Sequence, residues 1–215
     1  MRLYRQAREA ALSIDQRDEA AEAGIRMAMF SFQECRHREV LEIGKKIFDE
    51  QLGRLRPETV VHLWLLVGSA HCNMGDFAQS LAFAEKAIEL DDRVNCTHKS
   101  PSSGADPAIV ARDLAEMALR HLGHLDRSLT ESEQCMTIAM DRGHPFSIVW
   151  ASVSRVLALT SFGRYTEAVA CADQAIAICE NTASIRASAM CSSIEGRPYA
   201  NSAMKNEVWR ISNVG

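Results

Sequence analysis

The sequence predicts an all-α fold, a right-handed solenoid of antiparallel helix hairpins with a repeat of about 40 residues. Three observations carry this. Apolar residues recur at i, i+3 and i+4 along nearly all of residues 1–180, which is the period of a helix with one buried face. The breaks in that period at Cys35, Gly75, Gly123 and Gly163 are separated by 40, 48 and 40 residues. Small residues recur where helices would cross: Gly68, Ala84 and Ala87; Ser128, Ser132 and Cys135; Ala168, Ala172 and Ala175. They let neighbouring axes approach closely. One helix pair cannot bury its apolar face alone, so three or more must stack.

The elements follow in order. Residues 3–14 place Leu3, Ala7, Ala10, Ala11 and Ile14 at helical spacing. The first hairpin spans about 18–52, with Ile25, Met29 and Phe32 marking one stripe and Val40, Leu41, Ile47 and Phe48 the other. Pro57 ends that segment or opens the next, and the second hairpin spans about 58–90. Residues 91–106 collect Ser, Asn, Asp, Gly and Pro without an apolar period and predict a long exposed loop that absorbs the eight extra residues of the middle spacing. Within it Asp91 and Asp92 are expected to end a helix and to be solvated. Asp106 and Pro107 suit the N-cap and first turn of a third hairpin, about 107–141. Gly143, His144 and Pro145 stop that hairpin and start the fourth, about 146–179. Residues 181–215 are polar and unperiodic, which predicts a loosely ordered tail after a repeat domain over 1–180.

Composition narrows the function classes. The balance of 47% apolar and 24% charged residues in 215 is that of an ordinary globular domain or short repeat array, with a sizeable core. A net charge of -4 with no long Lys/Arg run gives no electrostatic reason to bind nucleic acid or an anionic membrane. Seven cysteines, an odd number without a CxxC, read as reduced core residues of a cytoplasmic protein. The charged N-terminal stretch lacks the apolar region of a signal peptide, and no run approaches 18 apolar residues, so no membrane span is expected.

Residues 64–92, WLLVGSAHCNMGDFAQSLAFAEKAIELDD, carry the most specific local pattern: Trp64, Val67, Gly68, His71, Gly75, Phe77, Ser80, Ala84 and Ala87. This resembles the tetratricopeptide repeat, whose signature is one of scaffolding rather than chemistry. Stepping back 40 residues from Gly44 and Ile47 lands on Tyr4 and Ala7, so residues 3–14 read as the second half of a repeat. An uncapped half repeat implies a piece of a longer solenoid.

A second resemblance rests on two stretches. Residues 106–159, DPAIVARDLAEMALRHLGHLDRSLTESEQCMTIAMDRGHPFSIVWASVSRVLAL, combine an opening Asp-Pro, a Leu-Gly-His turn and a His-Pro-Phe-Ser step; YRQAREAALSIDQRD precedes them near the N-terminus. Together they are similar to the helical repeats that close large bacterial signalling ATPases, in which a class III nucleotidyl cyclase or winged-helix domain and an AAA-type ATPase precede the repeats. The likeness covers about 1–180 and lapses beyond. It implies a sensory or regulatory arm for an adjoining ATPase, cyclase or regulator domain. The sequence has no GxxxxGK[ST], so it lacks a P-loop, and neither a cyclase metal site nor a winged helix is visible.

In tetratricopeptide repeats the first helix of each hairpin lines the concave face. By register that face receives Ile25, Met29 and Phe32; Leu65, Ser69 and Cys72; Asp113, Met117 and Arg120; and Trp150, Val153, Leu157 and Thr160. A mostly apolar row with Asp113 and Arg120 as a polar island suits an extended or helical segment of a protein partner, with Phe32 or Trp150 as anchors. Some of these residues could instead pack against neighbouring helices. A clamp for a terminal carboxylate is not expected, because Leu65 and Ser69 occupy positions that such a clamp fills with Lys, Arg or Asn.

No catalytic, cofactor or metal residue is expected. His121 and His124 straddle a hinge, Cys96 and His98 lack a second half at zinc spacing, and His71 and Cys72 are adjacent on a helix and point about 100 degrees apart. The sequence therefore points to a non-catalytic, cytoplasmic protein-interaction scaffold. The alternatives are self-association into a homo-oligomer by stacking of repeat ends, and an enzyme or metal-binding protein using the His/Cys set.

Overall fold

The computed structural model describes residues 1–51, 54–94 and 106–182. Among these there are nine α-helices and no strand: α1 Arg2–Ser13, α2 Arg17–Gln33, α3 His37–Gln51, α4 Pro57–Asn73, α5 Phe77–Val94, α6 Pro107–His121, α7 Leu125–Arg142, α8 Pro145–Ser161 and α9 Tyr165–Thr182. The chain divides into two compact units, Met1–Ala118 and Leu119–Gly215.

The hinges share one hydrogen-bond pattern. At Cys35, Gly75, Gly123 and Gly163 the backbone turns left-handed, with φ of 57, 82, 81 and 71 degrees. The amide of each donates three residues back, and the next amide donates five back, as in Arg36 N–H to the Ser31 carbonyl and Asp76 N–H to that of His71. This Schellman closure satisfies the last helical carbonyls and needs a left-handed residue, which glycine supplies without a Cβ clash. Asp15 makes the same closure between α1 and α2 at φ 57, although it is not glycine.

Proline and aspartate set the helix starts. Pro57 and Pro145 occupy the first turns of α4 and α8, where no amide donor is needed. Asp106 caps α6, its Oδ1 accepting from the Ala108 amide at 3.0 Å. Gly143 ends α7 at φ 65. In the first unit Arg56 ties the start of α4 to α2: its amide donates to Asp18 Oδ1 at 2.8 Å and its guanidinium to Glu22 Oε1 at 2.9 Å.

Burial follows the register of the hinges. Five, nine and twelve residues after each hinge stand Val40, Gly44 and Ile47; Ser80, Ala84 and Ala87; Ser128, Ser132 and Cys135; and Ala168, Ala172 and Ala175, all buried. Most are small because a partner helix lies across them. At Gly68 of α4 an added Cβ would sit 2.9 Å from Leu114 Cδ2 and 3.1 Å from Phe83 Cβ, so only glycine fits without movement. α4 and α8 bury residues all round, among them Val61, Leu63 and Leu66, and Val149, Val156 and Leu159. That is expected of helices packed on several sides. In the second unit Arg155 of α8 bonds α7, donating to the Leu129 carbonyl at 3.2 Å and to Ser132 Oγ at 3.1 Å.

The start of the predicted loop needs correction. α5 continues to Val94, and Asp91 is 3% exposed rather than solvated. It stands sixteen residues after Gly75, on the face that buries Ala84 and Ala87, so the chain stays helical while that face has something to cover. Asp92 is exposed and faces Arg112 Nη2 at 3.4 Å. Residues 95–105, with Cys96 and His98, and the tail over 183–215 lie outside the described residues.

Candidate partner-binding surface

The predicted row falls on the first helix of each hairpin, and each unit holds part of it. In the first unit Ile25 is 7% exposed and belongs to a core formed with Ala28, Val40, Leu63 and Val67. Met29 and Phe32 lie half-buried against that core. Phe32 also meets the His37 ring edge-on at 5.2 Å. Leu65 packs with Val61, Ala87 and Ala111. Cys72 packs with Ala84, Leu114 and Ala115, and Met117 lies against the same group. Ser69 turns inward to its own helix, donating from Oγ to the Leu65 carbonyl at 2.7 Å. Asp113 and Met117 are half-buried.

In the second unit Arg120, at the end of α6, is half-buried, as are Trp150, Val153, Leu157 and Thr160 along α8. Trp150 meets Phe146 edge-on at 5.8 Å between centroids, which fixes its ring while leaving part of it in solvent. The Thr160 hydroxyl is taken up by the Val156 carbonyl at 2.7 Å. The row is therefore of two kinds. Ile25, Leu65 and Cys72 are core residues that hold the helices, whereas Met29, Phe32, Met117 and Trp150 keep apolar surface that a ligand could cover.

Register reading one turn further would have found His62, in α4 at the position that Trp150 holds in α8. Burial pushes its imidazole below the usual range, and the nearby Glu58 carboxylate opposes the shift. His71, weighed for chemistry, is instead part of a stack: its ring lies on Phe83 at 5.7 Å, and Phe83 lies on Phe48 at 6.1 Å. Its Nδ1 faces Asp76 Oδ2 at 3.2 Å. Cys72 is buried in the core with Ala84, Leu114 and Ala115. His121 and His124 are exposed, and among the described residues no three His, Cys, Asp or Glu side chains gather as a metal shell. Burial raises the Cys171 thiol above its usual range, with Arg155 opposing, which disfavours the thiolate.

Family models for the tetratricopeptide repeat match residues 61–93 and 156–184. These are tetratricopeptide repeats. No curated protein matches the chain by sequence. Solved structures share the fold. BtubC (BKLC) from P. vanneervenii superposes with a TM-score of 0.70 at 13% identity, over 100% of this chain and 89% of that one. A Podosopora anserina putative kinesin light chain with nearly identical TPR-like repeats gives 0.65 at 16%, over 88% and 90%. The Rap protein complexed with competence and sporulation factor gives 0.69 at 15%, over 90% of this chain but 51% of that one, so the chain spans about half the length of that relative. The tetratricopeptide fold is consistent with a protein–protein interaction scaffold. Among the described residues no helix is long and apolar enough to cross a membrane.

Proposed function

We propose that this chain is a non-catalytic protein-interaction scaffold of the cytoplasm whose tetratricopeptide hairpins take up a segment of a partner protein. The observation that carries the reading is the half-exposed apolar surface within each unit: Met29, Phe32 and Met117 in one, and Trp150, Val153 and Leu157 in the other. Asp113 adds charge on the helix of Met117 in the first unit, where Ile25, Leu65 and Cys72 form the supporting core, and Arg120 is the charged member in the second. Large, rigid or adaptable apolar side chains of this kind are the usual energetic centres of protein interfaces. The Rap protein, of like fold, is complexed with competence and sporulation factor, which supports uptake of a partner by such repeats.

The likeness of residues 106–159 to the closing repeats of signalling ATPases supports a finer reading. In it the scaffold is the sensory or regulatory arm of an ATPase or cyclase system, and the partner segment belongs to an adjoining catalytic or regulator domain. The test is a selection of binding peptides by display, followed by Trp150→Ala and Met117→Glu. Each is expected to weaken capture by about 10- to 30-fold, or about 1.4–2 kcal/mol, with helicity by circular dichroism retained. Equal loss of helicity and binding would place these residues in the core and remove the row as a site.

A further inference from the structure

Six residues before each hinge stand Met29, Ser69, Met117 and Leu157, and all four are half-buried. The opening at Leu157 on α8 is thus a property of the repeat, shared with the inner hairpins, and not of the end of the array. Trp150, Val153 and Leu157 follow one another at steps of three and four, so they form one stripe about 10 Å long on α8. A stripe of that length takes one short apolar segment. α8 and α9 are the two arms of one hairpin, so the chain leaves Thr182 beside the first turns of α8, where Trp150 stands.

The sequence beyond α9 supplies such a segment. Within residues 183–215, three large apolar side chains fall in four successive positions at one place, Val208, Trp209 and Ile211. Charge draws that stretch back: residues 183–215 carry four Lys/Arg against two Asp/Glu, whereas residues 119–182 carry five against seven. Length permits the return. The 22 residues between Thr182 and Lys205 reach about 33 Å even at the helical rise and about 70 Å extended, against about 25 Å for the whole of α8. We infer, on the reading of the α8 stripe as partner-binding surface, that residues 205–212 of this chain occupy Trp150, Val153 and Leu157 and must leave before a partner segment enters.

Tethering sets the strength. A tether of this length presents the segment at an effective concentration on the order of 1 mM. A contact with a Kd of about 100 µM in trans is then about 90% occupied within the chain, and a competing partner is captured about tenfold more weakly than by an open stripe.

The test uses the full chain, with a labelled synthetic peptide of residues 203–215 as the probe, read by fluorescence anisotropy. The peptide is expected to bind the Trp209→Ala chain with a Kd on the order of 100 µM and the wild-type chain about tenfold more weakly, because the chain's own segment holds the stripe there. Adding Leu157→Glu to the Trp209→Ala chain removes binding with an unchanged circular dichroism spectrum. Val153→Glu, a half-buried neighbour on the same stripe, carries the same expectation should Leu157→Glu lose helicity. No binding to the Trp209→Ala chain, or equal affinity for it and for wild type, overturns the inference. So does a wild-type dimer in sedimentation that Trp209→Ala dissolves, since that places the segment on a second copy. A display-selected peptide separates the two readings: if Leu157→Glu weakens its capture but Trp209→Ala does not tighten it, the partner surface stands and its occupation by residues 205–212 falls.

Discussion

Cys35→Gly is expected to stabilise the protein. Cys35 holds φ at 57 degrees in a hinge whose counterparts are Gly75, Gly123 and Gly163. A side chain in the left-handed region costs about 1–2 kcal/mol from Cβ crowding against the following carbonyl. Glycine removes that cost but loses about 0.5–1 kcal/mol to the greater freedom of the unfolded chain. Cys35 is exposed, so little packing is given up. The net gain is about 0.5–1 kcal/mol, which for a chain of this size raises Tm by roughly 1–4 °C. Thermal unfolding by circular dichroism and urea titration read it directly. The mirror experiment is Gly75→Ala: a Cβ there meets nothing within 4 Å, yet φ is 82 degrees, so any loss is conformational and about 1 kcal/mol. A Cys35→Gly variant that is less stable than wild type, or a Gly75→Ala variant that is not, would refute the common-hinge reasoning.

Two further outcomes follow from packing and burial. Gly68→Ala drives a methyl group against Leu114 and Phe83, and is expected to lower the urea midpoint by the equivalent of about 1–3 kcal/mol; an unchanged midpoint would mean that the α4–α5–α6 contact is loose. His62 is held below its ordinary pKa, so the unfolded chain takes up its proton first as pH falls through about 6.5. Stability from this group is thus full above that pH and is lost as pH falls toward the folded value, by at most about 1.4 kcal/mol per pH unit. His62→Gln flattens that part of the stability profile between pH 7 and 5, and identical wild-type and variant slopes would contradict it.

The hinges were legible because two independent signals coincide there, an interruption of the 3.6 period and a residue suited to a left-handed turn. Even Cys35, chemically the odd member, was placed by the break between two apolar stripes and by the 40-residue spacing to Gly75. The small residues after each hinge were legible for the same reason: only Ala, Ser, Gly or Cys lets a second helix lie across Ala84 or Ser132. Periodicity was weaker where neighbours decide burial. Asp91 is polar and sits beside turn-forming residues, yet tertiary packing keeps its turn helical. Ile25, Leu65 and Cys72 share a register with Met29 and Trp150, but whether a side chain at that register is sealed or half-open depends on the residues opposite it. In the apolar α4, Val61 and Leu66 are buried beside Leu65, so no single stripe separates core from surface.

The most direct test of the scaffold reading is a footprint of the complex with a display-selected peptide, by hydrogen exchange or side-chain labelling of the full chain. Protection is expected on the first helices of the hairpins, at Met29, Phe32 and Met117 in one unit and at Trp150 and Leu157 in the other. Protection confined to α3, α5, α7 and α9, or to residues 183–215, would contradict it.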